Sequence, residues 1–318
     1  MDKLKEEYFN LLFALEERPT HLAELTLLKL KILPQKLYRY RPINKQRLQD
    51  TLTNDIAFLN LANSFNDPYD SGLTVDYNET HLNKIKESVL LEFCKEFHYL
   101  MPDQTFESFF SKVHTLTKDV PLKYLGYLLG KTLSQDEKVI EDIDSKISFL
   151  IEQTYDIYEN YVKELNNNYQ STVYAACFSE TNDNILMWSH YAQFHEGICI
   201  EYDFSNIDYR SRLLLTLSPV KYSNELFDMN KYPKRSPIDR IQLATLSKYD
   251  CWKYENEWRL ISFLKEEQRF NLEKPTAVIL GTKISEENKV WISELCAKRD
   301  IPVKQAVLDR TRYKLHIK

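Results

Sequence analysis

Only five glycines occur in 318 residues, at Gly72, Gly126, Gly130, Gly197 and Gly281. A glycine-rich phosphate cradle needs several within a few positions, because bare backbone must approach the phosphate closely. Neither a G-x-G-x-x-G run nor a Walker A loop can be assembled from these five, so Rossmann and P-loop readings are excluded. A nucleotide, if bound, is held by something other than those two cradles.

The rest of the composition sets broad limits. An apolar share of 43% and a charged share of 28% are ordinary for a soluble globular protein. The net charge of -5 gives no reason to expect a broad nucleic-acid surface. The segment Lys298 to Lys318 is locally basic, but its alternation with apolar residues reads first as strand. Met1-Asp2-Lys3-Leu4-Lys5-Glu6-Glu7 has no apolar signal-peptide core, and no window approaches a membrane span. Cys94, Cys177, Cys199, Cys251 and Cys296 are odd in number and scattered, without a C-x-x-C pair. Neither a disulfide framework nor a zinc ribbon is indicated, no metal is expected, and a reducing cytoplasm is the expected location.

Periodicity divides the chain. Leu4, Tyr8, Leu11, Leu12 and Leu15 fall at helical spacing, Pro19 interrupts, and Thr20 caps a second helix, giving N-terminal helices over residues 1–33. Residues 34–318 then read as one α+β domain with a mixed, largely antiparallel sheet and flanking helices. A helical insertion at about residues 79–170 interrupts it, marked by Ile85, Val89, Phe93 and Phe97. Strands are expected at 36–42, 56–60, 171–179, 198–204, 219–222, 277–281, 301–308 and 312–317. Helices are expected at 44–52, 185–192 (capped by Asn182 or Asp183), 236–251 and from a Ser285 cap to 298.

The segment most suggestive of chemistry is Trp252-Lys253-Tyr254-Glu255-Asn256-Glu257-Trp258-Arg259. Read as a strand, it places Lys253, Glu255, Glu257 and Arg259 on one face, with the carboxylates about 7 Å apart. Such a pair can hold a substrate and act as base or electrostatic stabiliser. It can equally be a solvated face with cross-strand ion pairs. Arg39 and Arg41 share a face of an earlier strand, where they could clamp phosphate or carboxylate, or simply pair with Glu255 and Glu257. Asn66-Asp67-Pro68-Tyr69-Asp70 could supply oxygens to a cation, but an Asx turn is the favoured reading. His190 reads as a satisfied core histidine or a ligand-side group, and Ser179 as a strand-end hydroxyl or a cap.

Several of these segments together resemble a bacterial family known as domain of unknown function 2971. They are Leu37-Tyr38-Arg39-Tyr40-Arg41, Phe65-Asn66-Asp67-Pro68-Tyr69-Asp70, Cys177-Phe178-Ser179, Leu186 to Ala192, His195-Glu196-Gly197-Ile198-Cys199 and the Trp252–Arg259 octapeptide. The family name carries no activity. The order strand-Arg, strand-end Ser, late Glu-x-Glu is also similar to the Arg-Ser-Glu core of ADP-ribosyltransferases. That resemblance implies NAD as substrate, oriented by Arg41 or Arg39 and supported by Ser179. Glu257 would be catalytic and Glu255 would engage the acceptor, with Tyr254, His190, Asp67 and Asp70 as further ligand-side candidates. Two other readings stand beside it. One is a metal-dependent nuclease or phosphodiesterase built from Asp67, Asp70, Glu255 and Glu257. The other is a non-enzymatic sensing or interaction module, as in phage defence.

Overall fold

The structure is a computed structural model that describes residues 2–14, 22–74 and 79–318. The chain opens with α1 (Asp2–Leu12), α2 (Leu22–Ile32), β1 (Lys36–Arg41) and α3 (Lys45–Asn54). The short strands β2 (Ile56–Phe58), β3 (Asn60–Leu61) and β4 (Leu73–Thr74) follow. Next come α4 (Glu79–Phe97), α5 (Phe106–Thr117), α6 (Leu125–Leu133) and the long α7 (Glu137–Gln170). Strands resume with β5 (Tyr174–Ser179), α8 (Ile185–Tyr191), β6 (Ile198–Asp203), α9 (Arg212–Thr216), β7 (Leu217–Pro219), β8 (Lys221–Ser223) and β9 (Phe227–Asp228). The last elements are α10 (Pro237–Thr245), β10 (Ser247–Tyr249), β11 (Glu257–Ser262), β12 (Arg269–Asn271), β13 (Ala277–Leu280), α11 (Glu286–Ala297), β14 (Val303–Leu308) and β15 (Leu315–Ile317). Pro19 and Thr20, expected to separate and cap the first helices, lie outside the described residues.

Residues 1–74 with 167–318 form one compact unit, and residues 75–166 form another. In the second unit, Val89, Phe93 and Phe97 recur at helical spacing on α4. They pack with Phe109 of α5, Leu125 and Leu129 of α6, and Ile143 and Ile147 of α7. The first unit is built on a nine-stranded sheet ordered β15-β14-β13-β6-β1-β5-β11-β7, with β3 beside β5. Within it only β13 and β14 run parallel, so the class is α+β with a mixed, largely antiparallel sheet. All six residues of β11 are buried, which is unusual for a strand that contains Glu257 and Arg259.

Three local expectations are corrected. The helix expected over 236–251 stops at Thr245, because Ser247–Tyr249 pair in parallel with β8. The cap of α8 is Asn184, whose side chain accepts from Leu186 N and Met187 N, rather than Asn182 or Asp183. Most consequentially, Trp252–Arg259 is not one strand. Asp250–Glu255 is a stretch of 3-10 helix, Asn256 has a left-handed φ of 43°, and β11 begins only at Glu257. Asn tolerates that conformation better than most side chains.

One close approach joins β1 to β6. A Cβ on Gly197 would lie 2.3 Å from the Arg41 carbonyl oxygen and 2.8 Å from that of Ala192. The chain enters this point through Gln193, Phe194 and His195, all with positive φ. No side chain fits at Gly197 unless the end of β1 moves. Gly197→Ala is therefore expected to lower stability by about 1–3 kcal/mol, read as a lower midpoint in urea unfolding.

Candidate functional site

The buried charges of β11 organise the site. Arg259 is completely buried. Its Nη1 and Nη2 donate to Asp70 Oδ1 and Oδ2, each at 2.7 Å. Its Nε and Nη2 donate to Glu257 Oε1 and Oε2 at 2.8 and 3.0 Å. Nη1 also donates to the Thr245 carbonyl at 2.7 Å and Ser71 Oγ at 3.2 Å. A rigid fork of five N–H donors suits this geometry, and a lysine would leave acceptors unmet.

Lys248 is the second cation. Its Nζ lies 2.5 Å from Glu255 Oε2, 3.0 Å from Glu257 Oε2 and 3.4 Å from Asp70 Oδ2, and it faces the Trp252 ring at 5.2 Å. Tyr191 OH donates to Glu255 Oε1 at 2.7 Å. Among the described residues, the cations within ion-pair distance of Asp70, Glu255 and Glu257 are Lys248 and Arg259, three carboxylates against two cations. With all five groups ionised, one negative charge is left without a partner.

The carboxylates respond differently. Burial opposes ionisation of Glu257, but Arg259 and Lys248 outweigh it and hold this carboxyl well below its usual range. For Glu255 burial wins over Lys248, and the neighbouring Glu257 adds to it, so its carboxyl is pushed up. Glu255 is therefore the member of the cluster best suited to exchange a proton. Burial, with Glu257 nearby, also pushes the Cys177 thiol well up, which leaves it protonated and a poor nucleophile.

β1 and β5 meet only at Tyr38 and Ser179, while β3 takes the other end of β5 at Tyr174 and Ala175. Among the described residues, Ala176, Cys177 and Phe178 consequently have no strand partner on that side. A cavity of about 280 Å³ occupies this split. It is lined by Tyr38–Arg41, by Ala175–Ser179, and by Asn60, Ser64, Phe65, Asn66, Asp70, Met187, His190, Tyr191, Lys248, Glu255 and Glu257. Register places Tyr38, Ser179 and Glu257 side by side on one sheet face, and Arg39 and Arg41 on the other. Arg39 and Arg41 are nevertheless among the cavity's lining residues.

Of the residues singled out in the sequence, the cavity brings together Arg39, Arg41, Asp70, Ser179, His190, Glu255 and Glu257. Tyr254 and Asp67 do not line it. Tyr254 packs against the core cluster that includes Tyr40, Met187 and Trp188, and Asp67 Oδ1 accepts from Tyr69 N at 2.9 Å in an Asx turn. Ser179 Oγ donates to the Glu255 carbonyl at 2.6 Å, so it fixes the turn that presents Glu255. His190 is exposed at the cavity wall rather than a core histidine, edge-on to Trp252 at 6.1 Å. Arg39 and Arg41 do not pair with Glu255 or Glu257, because those acids are taken by Lys248 and Arg259. Lys253 is exposed, and Lys248 stands where the strand reading had placed it. Lys248 was hidden by the helix expected over 236–251, and Tyr191 by a helix that reads as core all round.

Among the described residues no group of three or more His, Cys, Asp or Glu is arranged to hold a metal ion. Asp70, Glu255 and Glu257 converge on an ammonium and a guanidinium, and Asp67 stays in its own turn. That arrangement gives no support to a Mg²⁺-dependent nuclease at these residues. No helix among the described residues is long and apolar enough to cross a membrane.

A family model described as a protein of unknown function (DUF2971) matches residues 187–260, in line with the resemblance carried by the motifs. That span contains Tyr191, Lys248, Glu255, Glu257 and Arg259, so most of the charged cluster belongs to the matched segment. No curated protein and no solved structure matches the chain.

The cluster predicts a pH signature. The depressed carboxyl of Glu257 contributes stability that is present above the usual carboxylate range, near about pH 4.3, and is lost as pH falls. The raised carboxyl of Glu255 acts the other way, costing stability at neutral pH that protonation relieves. Glu257→Gln is expected to lose about 3–5 kcal/mol at neutral pH, a deficit that shrinks on acidification, and Glu255→Gln less. Urea unfolding across pH measures both, and a larger loss for Glu255→Gln would contradict the assignment.

Proposed function

We propose that the chain is an ADP-ribosyltransferase-like enzyme that cleaves NAD and passes ADP-ribose to an acceptor or to water. The observation that carries this reading is the charge polarity of the cavity. Arg39 and Arg41 of β1 are among its lining residues, and so are Glu255 and Glu257 of the net-negative cluster. A dinucleotide has the matching polarity. Its phosphates are anionic, and its ribose C1′ gains positive charge as nicotinamide leaves with the electron pair of the glycosidic bond.

In this reading Arg41 and Arg39 orient the phosphates, and Glu257, fixed by Arg259, lowers the energy of the cationic ribose. Ser179 holds the turn that presents Glu255. Glu255 takes the proton of the hydroxyl or water that bonds to C1′, consistent with its raised carboxyl and its hydrogen bond from Tyr191. The cavity's volume suits the nicotinamide riboside end, with the remainder of the dinucleotide outside it.

A second reading has its own observation. Both oxygens of Glu257 are already engaged by Arg259 and Lys248, as in a closed structural clamp. That favours a non-enzymatic sensing or interaction module. The two readings separate on incubation with NAD while nicotinamide release is followed. The enzyme reading expects release that falls roughly 100-fold or more in Glu255→Gln, with the fold retained. An absence of NAD binding at about 1 mM would leave the module reading in its place.

A further inference from the structure

Beside the cavity, three guanidiniums gather without a carboxylate. Arg39 and Arg41 come from β1 and Arg47 from α3, and together they line a second, small cavity of about 10 Å³. Arg39 and Arg41 also line the larger cavity, so the two spaces share a wall. Among the described residues, none of the three has an acid within ion-pair distance. Their contacts are neutral. Arg39 donates to the Phe58 carbonyl and lies 5.6 Å from the Phe178 ring centre. Arg47 donates to Asn60 Oδ1 at 3.1 Å and lies 5.3 Å from the Phe58 ring centre.

This departs from the charged cluster around β11. Lys248 and Arg259 are each answered by two or more carboxylates. Arg39 is 3% exposed and has none. Burying a cation unpaired is costly, and placing two more beside it adds repulsion. Burial, followed by the repulsion of Arg39 and Arg47, pushes the Arg41 guanidinium down to about 9. In a chain of net charge -5, acids are not scarce. The mutual repulsion of this grouping opposes folding, whereas a bound anion would relieve it.

We infer that Arg39, Arg41 and Arg47 form a receptor for a phosphoanion of at least two negative charges, such as the pyrophosphate of a nucleotide. Arginine count selects the ligand. One guanidinium satisfies a carboxylate through two parallel hydrogen bonds, while three forks need the additional oxygens of a phosphate or pyrophosphate. Size sets its position. The small cavity has room for about one oxygen-sized group, so the phosphorus lies in the larger cavity with an oxygen projecting among the arginines. The inference rests on the same cavity as the enzyme reading, but not on any cleavage of NAD. It adds Arg47, which neither the motifs nor the family match had marked.

The test is titration of sodium pyrophosphate into the full chain by calorimetry, alongside the pyrophosphate-dependent rise in Tm. Saturable binding is expected, weaker at high salt, and weakened roughly tenfold or more in Arg47→Gln. Arg47 is exposed, so this variant is expected to fold. Arg41→Gln should weaken binding similarly, and Lys298→Gln, at an exposed cation that lines neither cavity, should leave it unchanged. A Tm that drops in the arginine variants while its pyrophosphate-dependent rise persists would assign them a structural role and overturn the inference. Absence of pyrophosphate binding would do the same. Arginine-dependent pyrophosphate binding without nicotinamide release upholds the receptor and rejects the enzyme reading. Nicotinamide release insensitive to both arginine variants does the reverse.

Discussion

The first unit is organised around the guanidinium of Arg259. It is wholly buried and ties Asp70, from the loop before β4, to Glu257, on its own strand, and to the end of α10 through the Thr245 carbonyl. No water is needed to satisfy it. Removing either acid would leave buried guanidinium N–H groups without an acceptor, which is far costlier than losing a surface pair. Lys248 then closes the ring of charges by reaching Glu255, Glu257 and Asp70 from β10.

This arrangement explains how one segment serves both stability and chemistry. Glu257 is spent largely on Arg259 and Lys248, while Glu255, one turn earlier, meets Lys248 and Tyr191 only. Two acids separated by a single residue thus differ in proton affinity, because the left-handed Asn256 breaks the strand between them. A continuous strand would have given both the same surroundings. The cavity adds a second asymmetry, because its lining includes arginines that have no acid within ion-pair distance among the described residues and acids already held by Lys248 and Arg259.

Much of the scaffold was legible from local pattern. The alternation of Lys36–Arg41, the apolar run Ala277–Leu280 and the helical spacing of Val89, Phe93 and Phe97 each follow from one period, and burial enforces that period. The octapeptide was less legible. Its charges alternate as in a strand, yet Asp250–Glu255 coils into 3-10 helix. The reason is tertiary: Ser179 Oγ and Asn184 Nδ2 hold the carbonyls of Glu255 and Tyr254, fixing the turn from outside the segment. Lys248 was concealed because the helical pattern of Pro237–Thr245 runs up to it without a glycine or proline to end it, whereas pairing of β10 with β8 does end it.

By itself, the sequence determined that no glycine cradle holds a phosphate, that the class is α+β, and that the chain resembles the DUF2971 family. Those conclusions depend on residue type and spacing, which a linear chain displays. Which charges meet depends on pairs far apart in sequence. Asp70 and Arg259 are separated by 189 positions, and nothing local to either names the other. Only the tertiary structure decided that Glu255 and Glu257 face Lys248 and Arg259, leaving Arg39 and Arg41 free of them. Those pairings depend on nearness in space, which is set by the register of the strands and the loops that join them.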